Sequence, residues 1–264
     1  DAITKRAAII SSFAALGTAF PFEAAMLDHI EKYIAHSKPS GHGDKRPALS
    51  EKDVHNGVTA VLGLLHQVRD FLEKGDIARV KDMAVEREAM TDLLNDPALQ
   101  PVFNRSAKAK LSYAAVTAYD TLMRVKETEK LISVIEFIYK LDVFISVAHT
   151  SNKYKFVFPV AHRGDSAVLK LTGVYHPALK SPVPNNFEMG RDKSVVFLTG
   201  ANMAGKSTFL RSVGTAIYIA HMGFPVAATH MEFAVRDGLY TTINLPDNLG
   251  IGASHFYAEV LRVK

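Results

Sequence analysis

The residues best suited to do chemistry in this 264-residue chain lie in Gly200–Thr208, GANMAGKST. A short apolar run, Ser194–Thr199 (SVVFLT), precedes them, and a segment of helical periodicity, Phe209–Met222, follows. Strand, glycine-rich turn, Lys-Ser-Thr and helix in that order make the layout of a phosphate-binding loop. Gly200 and Gly205 let the backbone curl so that successive N–H groups point inward. The helix presents its unpaired first-turn N–H groups to an anion. Lys206 can reach the β- and γ-phosphates of a nucleotide, and the Ser207 hydroxyl can ligate Mg²⁺. These two are the expected catalytic residues, with Ser207 the expected metal ligand. A chance glycine turn at a helix start would not explain Lys206 and Ser207 together.

Other chemistry is poorly supported. His42, His55 and His66 lie on or near helices with neither a cysteine nor a tight carboxylate cluster beside them, so there is no zinc pattern. Ser11-Ser12 lacks the context of a nucleophile elbow. The chain has no cysteine, which excludes disulfides and thiolate metal sites and permits a reducing, cytoplasmic location. A net charge of +4 is mildly basic, compatible with a nucleic-acid partner without requiring one.

The elements around the loop fall into two kinds. Residues 1–35 read as helix broken near Gly17–Pro21, with Met26, Leu27, Ile30, Tyr33 and Ile34 at helical spacing beyond the break. Ala7–Phe22 is uncharged but short for a membrane span, and a buried helix ending near Gly17 is the better reading. His36–Ser50 is a loop. Ser50 with Asp53 predicts a capping box for a helix reaching about Lys74 and ending at Gly75-Asp76. Further helices are predicted over Ile77–Asn95, Ser106–Val125 and Thr128–His149, with Pro97 and Pro101 interrupting.

Beyond Tyr154 the character changes. Lys153–Pro159, Ala167–Leu171, Ser194–Thr199, Met231–Val235 and Leu239–Ile243 read as strands, with Ser194–Thr199 central in a sheet. Pro177, Pro182 and Pro184 mark a turn-rich link. Asp247–Gly252 reads as a loop and Ser254–Lys264 as the start of a helix. The expected organisation is an all-helical domain over 1–150, then an α/β nucleotide-binding domain over 151–264.

Thr199–Thr208, TGANMAGKST, resembles the phosphate loop of the MutS family of DNA mismatch-repair ATPases, TGPNMGGKST. Asn202-Met203 separates that family's loop from phosphate loops at large. Ala201 replaces a proline, and Ala204 replaces a glycine, which requires that position to tolerate a Cβ. Leu141–Ala148 (LDVFISVA) is similar to the family's LDVLASFA helix. Tyr175-His176-Pro177 resembles its RHP turn, Val183–Asn186 its VPND segment, and Asp247–Glu259 its signature segment. The resemblance is good over about 140–264 and looser before, where the family carries a helical core or lever.

The resemblance implies a P-loop NTPase fold of the ABC type, whose nucleotide sites form at a homodimer interface between ATPase domains. Gly200, Ala201, Asn202, Met203, Ala204, Gly205, Lys206, Ser207 and Thr208 would hold the phosphates of ATP and Mg²⁺. Gly252 and Ser254 would face the partner's γ-phosphate. Tyr175, His176 and Pro177 would lie near the adenine. The implied partners are double-stranded DNA, reached through a longer parent protein, and a MutL-like protein; a membrane is not expected.

Two parts of such an ATPase are not visible. The apolar strand ending in Asp-Glu, which follows the signature segment in the family, is absent from the 264 residues, so truncation of a longer parent is expected. The family's mismatch-reading Phe-Glu wedge is absent too, since Phe22-Glu23 sits in a helical, alanine-rich context. Two readings remain. One is an ATP-switched, DNA-binding dimer of the mismatch-repair type. The other is a related ATPase without mismatch recognition, acting on branched DNA, a membrane or a protein partner.

Overall fold

The computed structural model describes residues 2–36, 49–106, 109–163 and 167–241. The chain divides into two compact units, one formed by Ser12–Ala148 and one by Asp1–Ser11 together with His149 onward.

The first unit is helical. It holds the last third of α1 (Ala2–Leu16), then α2 (Ala24–Ile34), α3 (Glu51–Lys74), α4 (Ala84–Leu94), α5 (Gln100–Phe103), α6 (Tyr113–Thr121) and most of α7 (Thr128–Tyr154). The α3 start is the expected capping box. The Asp53 N–H donates to Ser50 Oγ at 3.1 Å, and the Ser50 N–H donates to Asp53 Oδ2 at 3.2 Å. Val58, Val61, Leu62, Leu65, Val68 and Leu72 then bury one stripe of α3, while Leu131, Val134, Ile138, Leu141 and Ile145 bury one of α7.

Ile77–Asn95 is not one helix. Asp76–Arg79 and Lys81–Met83 are 3₁₀ turns, and only Ala84–Leu94 is α-helical. The reason lies in burial. Ile77, Val80 and Met83 are all interior, and a three-residue spacing suits the three-residue period of a 3₁₀ helix. Pro97 and Pro101 interrupt α-helix as expected, but Pro97–Leu99 forms another 3₁₀ turn and Pro101 sits inside the one-turn α5. α6 begins at Tyr113, where Ser112 Oγ accepts from the Ala115 N–H, and it runs on into a π-helical turn at Leu122–Lys126.

The second unit is a mixed sheet. Its strands are β1 (Val160–His162), β2 (Leu169–Val174), β3 (Asn185–Met189) and β4 (His230–Ala234), in the order β1-β4-β2-β3. β1 pairs parallel with β4, and β2 pairs antiparallel with both β4 and β3. α8 (Lys206–His221) covers one face. Leu171, Val174, Met231 and Phe233 from the sheet pack with Val213, Ala216 and Ala220 from α8, and Ile3 from the first turn of α1 joins this core. The opposite face carries Lys170, Glu188 and Glu232, as a sheet with one wet face should.

Three strand expectations are corrected. Lys153 and Tyr154 are the end of α7, which closes at Lys155 with φ +58; Val157 makes only an isolated bridge to Val226. β3 lies in what reads as a turn-rich link. Ser194–Thr199 is outside the sheet, with Val195 81% and Phe197 95% exposed. An apolar run becomes a strand only by pairing with a neighbour, and none of the described strands pairs with this one. Leu239–Thr241 is likewise not strand, and the rest of that segment, with Asp247–Gly252 and Ser254–Lys264, lies outside the described residues.

Candidate functional site

Residues 200–205 turn the chain from the exposed segment into α8. Gly200 has φ +154, Met203 φ +62 and Gly205 φ +91. Gly205 is the residue immediately before α8, in the left-handed region with ψ 9. A Cβ built on Gly205 would meet no atom within 4 Å, so the demand for glycine there is conformational, not spatial. Ala204 is not among the positive-φ residues, so its Cβ costs no backbone strain; Met203 takes the left-handed position instead, its side chain in solvent.

The loop closes on its own lysine. Lys206 Nζ donates to the carbonyl oxygens of Gly200 at 2.7 Å and Ala201 at 2.6 Å. The Ala204 N–H donates to Ala201 O at 3.3 Å, and the Phe209 N–H to Gly205 O at 2.8 Å as α8 begins. The N–H groups of Lys206, Ser207 and Thr208 are the first-turn donors of this 16-residue helix, and they carry its positive end. Ser212, one turn on and buried, donates its hydroxyl to Thr208 O at 2.8 Å.

A cavity of about 620 Å³ opens at this point. The loop side supplies Thr199, Met203, Ala204, Gly205, Lys206 and Thr208. The opposite side is built by Tyr175, His176, Leu179, Ser181 and Val183, with Asn185 and Asn186 from β3. The lining includes a lysine and a histidine and no carboxylate, so its electrostatics favour an anion. Tyr175 and His176 reach the cavity directly after the end of β2. The Tyr175 N–H donates to Ala227 O at 3.1 Å, and the turn after it is held by the Ala178 N–H on His176 Nδ1 at 3.3 Å and the Leu179 N–H on His176 O at 3.1 Å. Phe187 of β3 meets Phe209 of α8 edge to face at 5.8 Å, packing the strand over the helix start.

The structure therefore brings Tyr175 and His176 to one cavity with Met203, Ala204, Gly205, Lys206 and Thr208. Pro177, Gly200, Ala201, Asn202 and Ser207 are not among its lining residues, although all but Pro177 belong to the same loop and helix start. Gly252 and Ser254 lie outside the described residues. Sequence reasoning missed Leu179, Ser181, Asn185, Asn186 and Ser212 as wall residues. The one available signal was Ser212, four residues beyond Thr208 and so on the same helix face.

The donor set fits a nucleoside triphosphate with Mg²⁺. Backbone N–H groups at a helix start and one lysine suit phosphate oxygens. Among the described residues, no group of three or more His, Asp or Glu could hold a metal ion. Magnesium commonly takes one or two protein ligands and completes its shell with phosphate oxygens and water, so a single hydroxyl at Ser207 is compatible with it.

Residues 196–264 match the family model for MutS domain V. The DNA mismatch repair protein MutS of Petrotoga mobilis is 31% identical over 205 residues, covering 73% of this chain and 25% of that protein. MutS of Lysinibacillus sphaericus is 34% identical over 130 residues, 47% of this chain and 15% of that protein. MutS of Caldanaerobacter subterraneus subsp. tengcongensis is 25% identical over 258 residues, 90% of this chain and 28% of that protein. The chain spans 28% or less of the length of each of these three relatives.

Proposed function

Because the chain belongs to the MutS family, we propose that its loop at 199–208 binds ATP with Mg²⁺, as part of an ATP-switched DNA-binding protein of the mismatch-repair type. The observation that carries this reading is Lys206. Its ammonium sits inside the loop, 2.7 Å from Gly200 O and 2.6 Å from Ala201 O, in a cavity without carboxylates. Phosphate oxygens are stronger acceptors for an ammonium than neutral carbonyls. Lys206 and the α8 N–H groups would hold the triphosphate, Ser207 would hold Mg²⁺, and the Tyr175–His176–Pro177 turn would face the base. When bound, Mg²⁺ would offset the charge that develops on the phosphate oxygens.

On this reading 1–150 is a helical lever-like domain and 151–264 the first part of the ATPase domain. The longer parent hydrolyses ATP, and two copies join through their ATPase domains. Gly252 and Ser254 meet the partner's γ-phosphate there. Duplex DNA and a MutL-like protein are the partners of that parent, in the cytoplasm.

Calorimetric titration with ATP and Mg²⁺ tests the site, with sedimentation of the same samples. Saturable binding that disappears in Lys206→Ala is the expected result. Identical heats from wild type and variant would overturn it.

Phe22, beside Glu23, is 5% exposed and packs edge to face on Phe71 at 6.0 Å, so this pair belongs to the helical core and is not a base wedge. Equal binding of mismatched and perfect duplexes by the full-length protein would select the related ATPase without mismatch recognition, with branched DNA or a protein as partner. Among the described residues, no helix is long and apolar enough to cross a membrane.

A further inference from the structure

Between Leu171↔Phe187 and Val174↔Asn185 the β2–β3 register shifts, so Thr172 and Gly173 together face Asn186 alone. This is a β-bulge, with its glycine in the left-handed region at φ +63. Its consequence is a change of phase. Side chains alternate along a strand, so an unbroken β2 would send 171, 173 and 175 to one face. With the bulge, Leu171 and Val174 both enter the core, at 1% and 0% exposure, and Tyr175 is released to the cavity wall with His176. A bulge leaves the N–H of its extra residue out of the ladder. Here the Gly173 N–H donates to Asn186 Oδ1 at 2.9 Å. On the other side of β2, the Thr172 carbonyl accepts from the Thr229 N–H and from Thr229 Oγ1, each at 2.9 Å. A Cβ at 173 would come to 2.9 Å from that Oγ1, so both the left-handed backbone and the close approach of Thr229 call for glycine there.

We propose that Asn186 is a positioning residue for the base end of the cavity: by accepting the Gly173 N–H it holds the bulge that aims Tyr175 and His176 at a bound nucleoside. This rests on the nucleotide reading above. Asn186 accepts from the β2 backbone beside Tyr175, so its loss changes how the base is held more than how the phosphates are held.

The test is calorimetry on the 264-residue chain with two Mg²⁺-loaded probes, ATP and inorganic tripolyphosphate, for wild type, Asn186→Ala and Asn186→Asp. Tripolyphosphate has the phosphates and no base, so its binding also reports that each variant is folded. The readout is the ratio of the two affinities, which cancels any general charge effect of the new carboxylate. Loss of one hydrogen bond should lower that ratio roughly three- to tenfold in Asn186→Ala. Asn186→Asp should restore it, because a carboxylate oxygen accepts the same N–H. An unchanged ratio in Asn186→Ala overturns the proposal. So does an Asp variant as poor as the Ala variant, since that would mean the amide itself donates to the base. Wild-type protein that binds neither probe would instead remove the nucleotide reading, and this inference with it.

Discussion

Lys206 Nζ and the carbonyl oxygen of Gly200 are 2.7 Å apart, a bond across the loop that ties the first residue of α8 to the residue where the loop begins. The same ammonium also holds Ala201 O. Both bonds are on the exposed loop and neither reaches the sheet core, so the lysine's contribution belongs to binding and not to folding. Lys206→Ala should abolish ATP binding while changing unfolding free energy by no more than about 0.5 kcal/mol. Parallel calorimetry and urea unfolding check both halves.

Gly205 separates space from conformation. There is room for a side chain, but φ is +91. Gly205→Ala should therefore cost roughly 1–2 kcal/mol, as a left-handed L-residue does, and weaken phosphate binding as the loop relaxes. Gly205→Asn should be milder than Gly205→Ala, since asparagine tolerates that region. A series in which Ala and Asn behave alike would contradict this account.

In the helical unit, Tyr33 donates its hydroxyl to Asp120 Oδ1 at 2.7 Å, and Arg124 grips the same carboxylate from the π-helical turn with Nε at 2.6 Å and Nη2 at 2.5 Å. Burial first, then Asp120, pushes the Tyr33 phenol up. Burial opposes ionisation of Asp120, but the bonds from Arg124 and Tyr33 outweigh it and hold the carboxyl below its ordinary value. Tyr33→Phe removes one donor from a still-paired carboxylate and should cost about 1 kcal/mol. Asp120→Ala leaves Arg124 without its carboxylate partner and Tyr33 without its acceptor, and should cost roughly 3 kcal/mol. Urea midpoints at constant slope would rank the two.

Asp53 links the α3 cap to pH. Lys32 first, then Ser50, holds its carboxyl down to about 2. A carboxyl depressed in the folded state stabilises above its unfolded pKa, about 4, and loses that contribution as pH falls through 2. The stability difference between wild type and Asp53→Asn should be full at pH 5 and shrink steadily below about pH 4. A difference independent of pH across that window would show that the cap works through hydrogen bonds alone.

The sequence by itself determined the parts whose stabilising partners are near in the chain. The Ser50–Asp53 cap, the breaks at Gly17 and Gly75, and the turn from Gly200 into α8 are all local. Their hydrogen bonds join residues three to six apart, so residue type and spacing carry them. Tertiary structure decided what depends on distant partners. β3 is a strand because β2 offers it an edge, although Asn185-Asn186 has no strand pattern of its own. Ser194–Thr199 has the pattern, but no described strand pairs with it, and it stays out of the sheet. The first turn of α1 joins the sheet's core across more than 150 residues of chain, which no local signal encodes. The cavity wall facing Lys206 follows the same logic. Tyr175 lines it because a bulge opposite Asn186 shifts the phase of β2, and a one-residue shift in a strand exchanges its two faces.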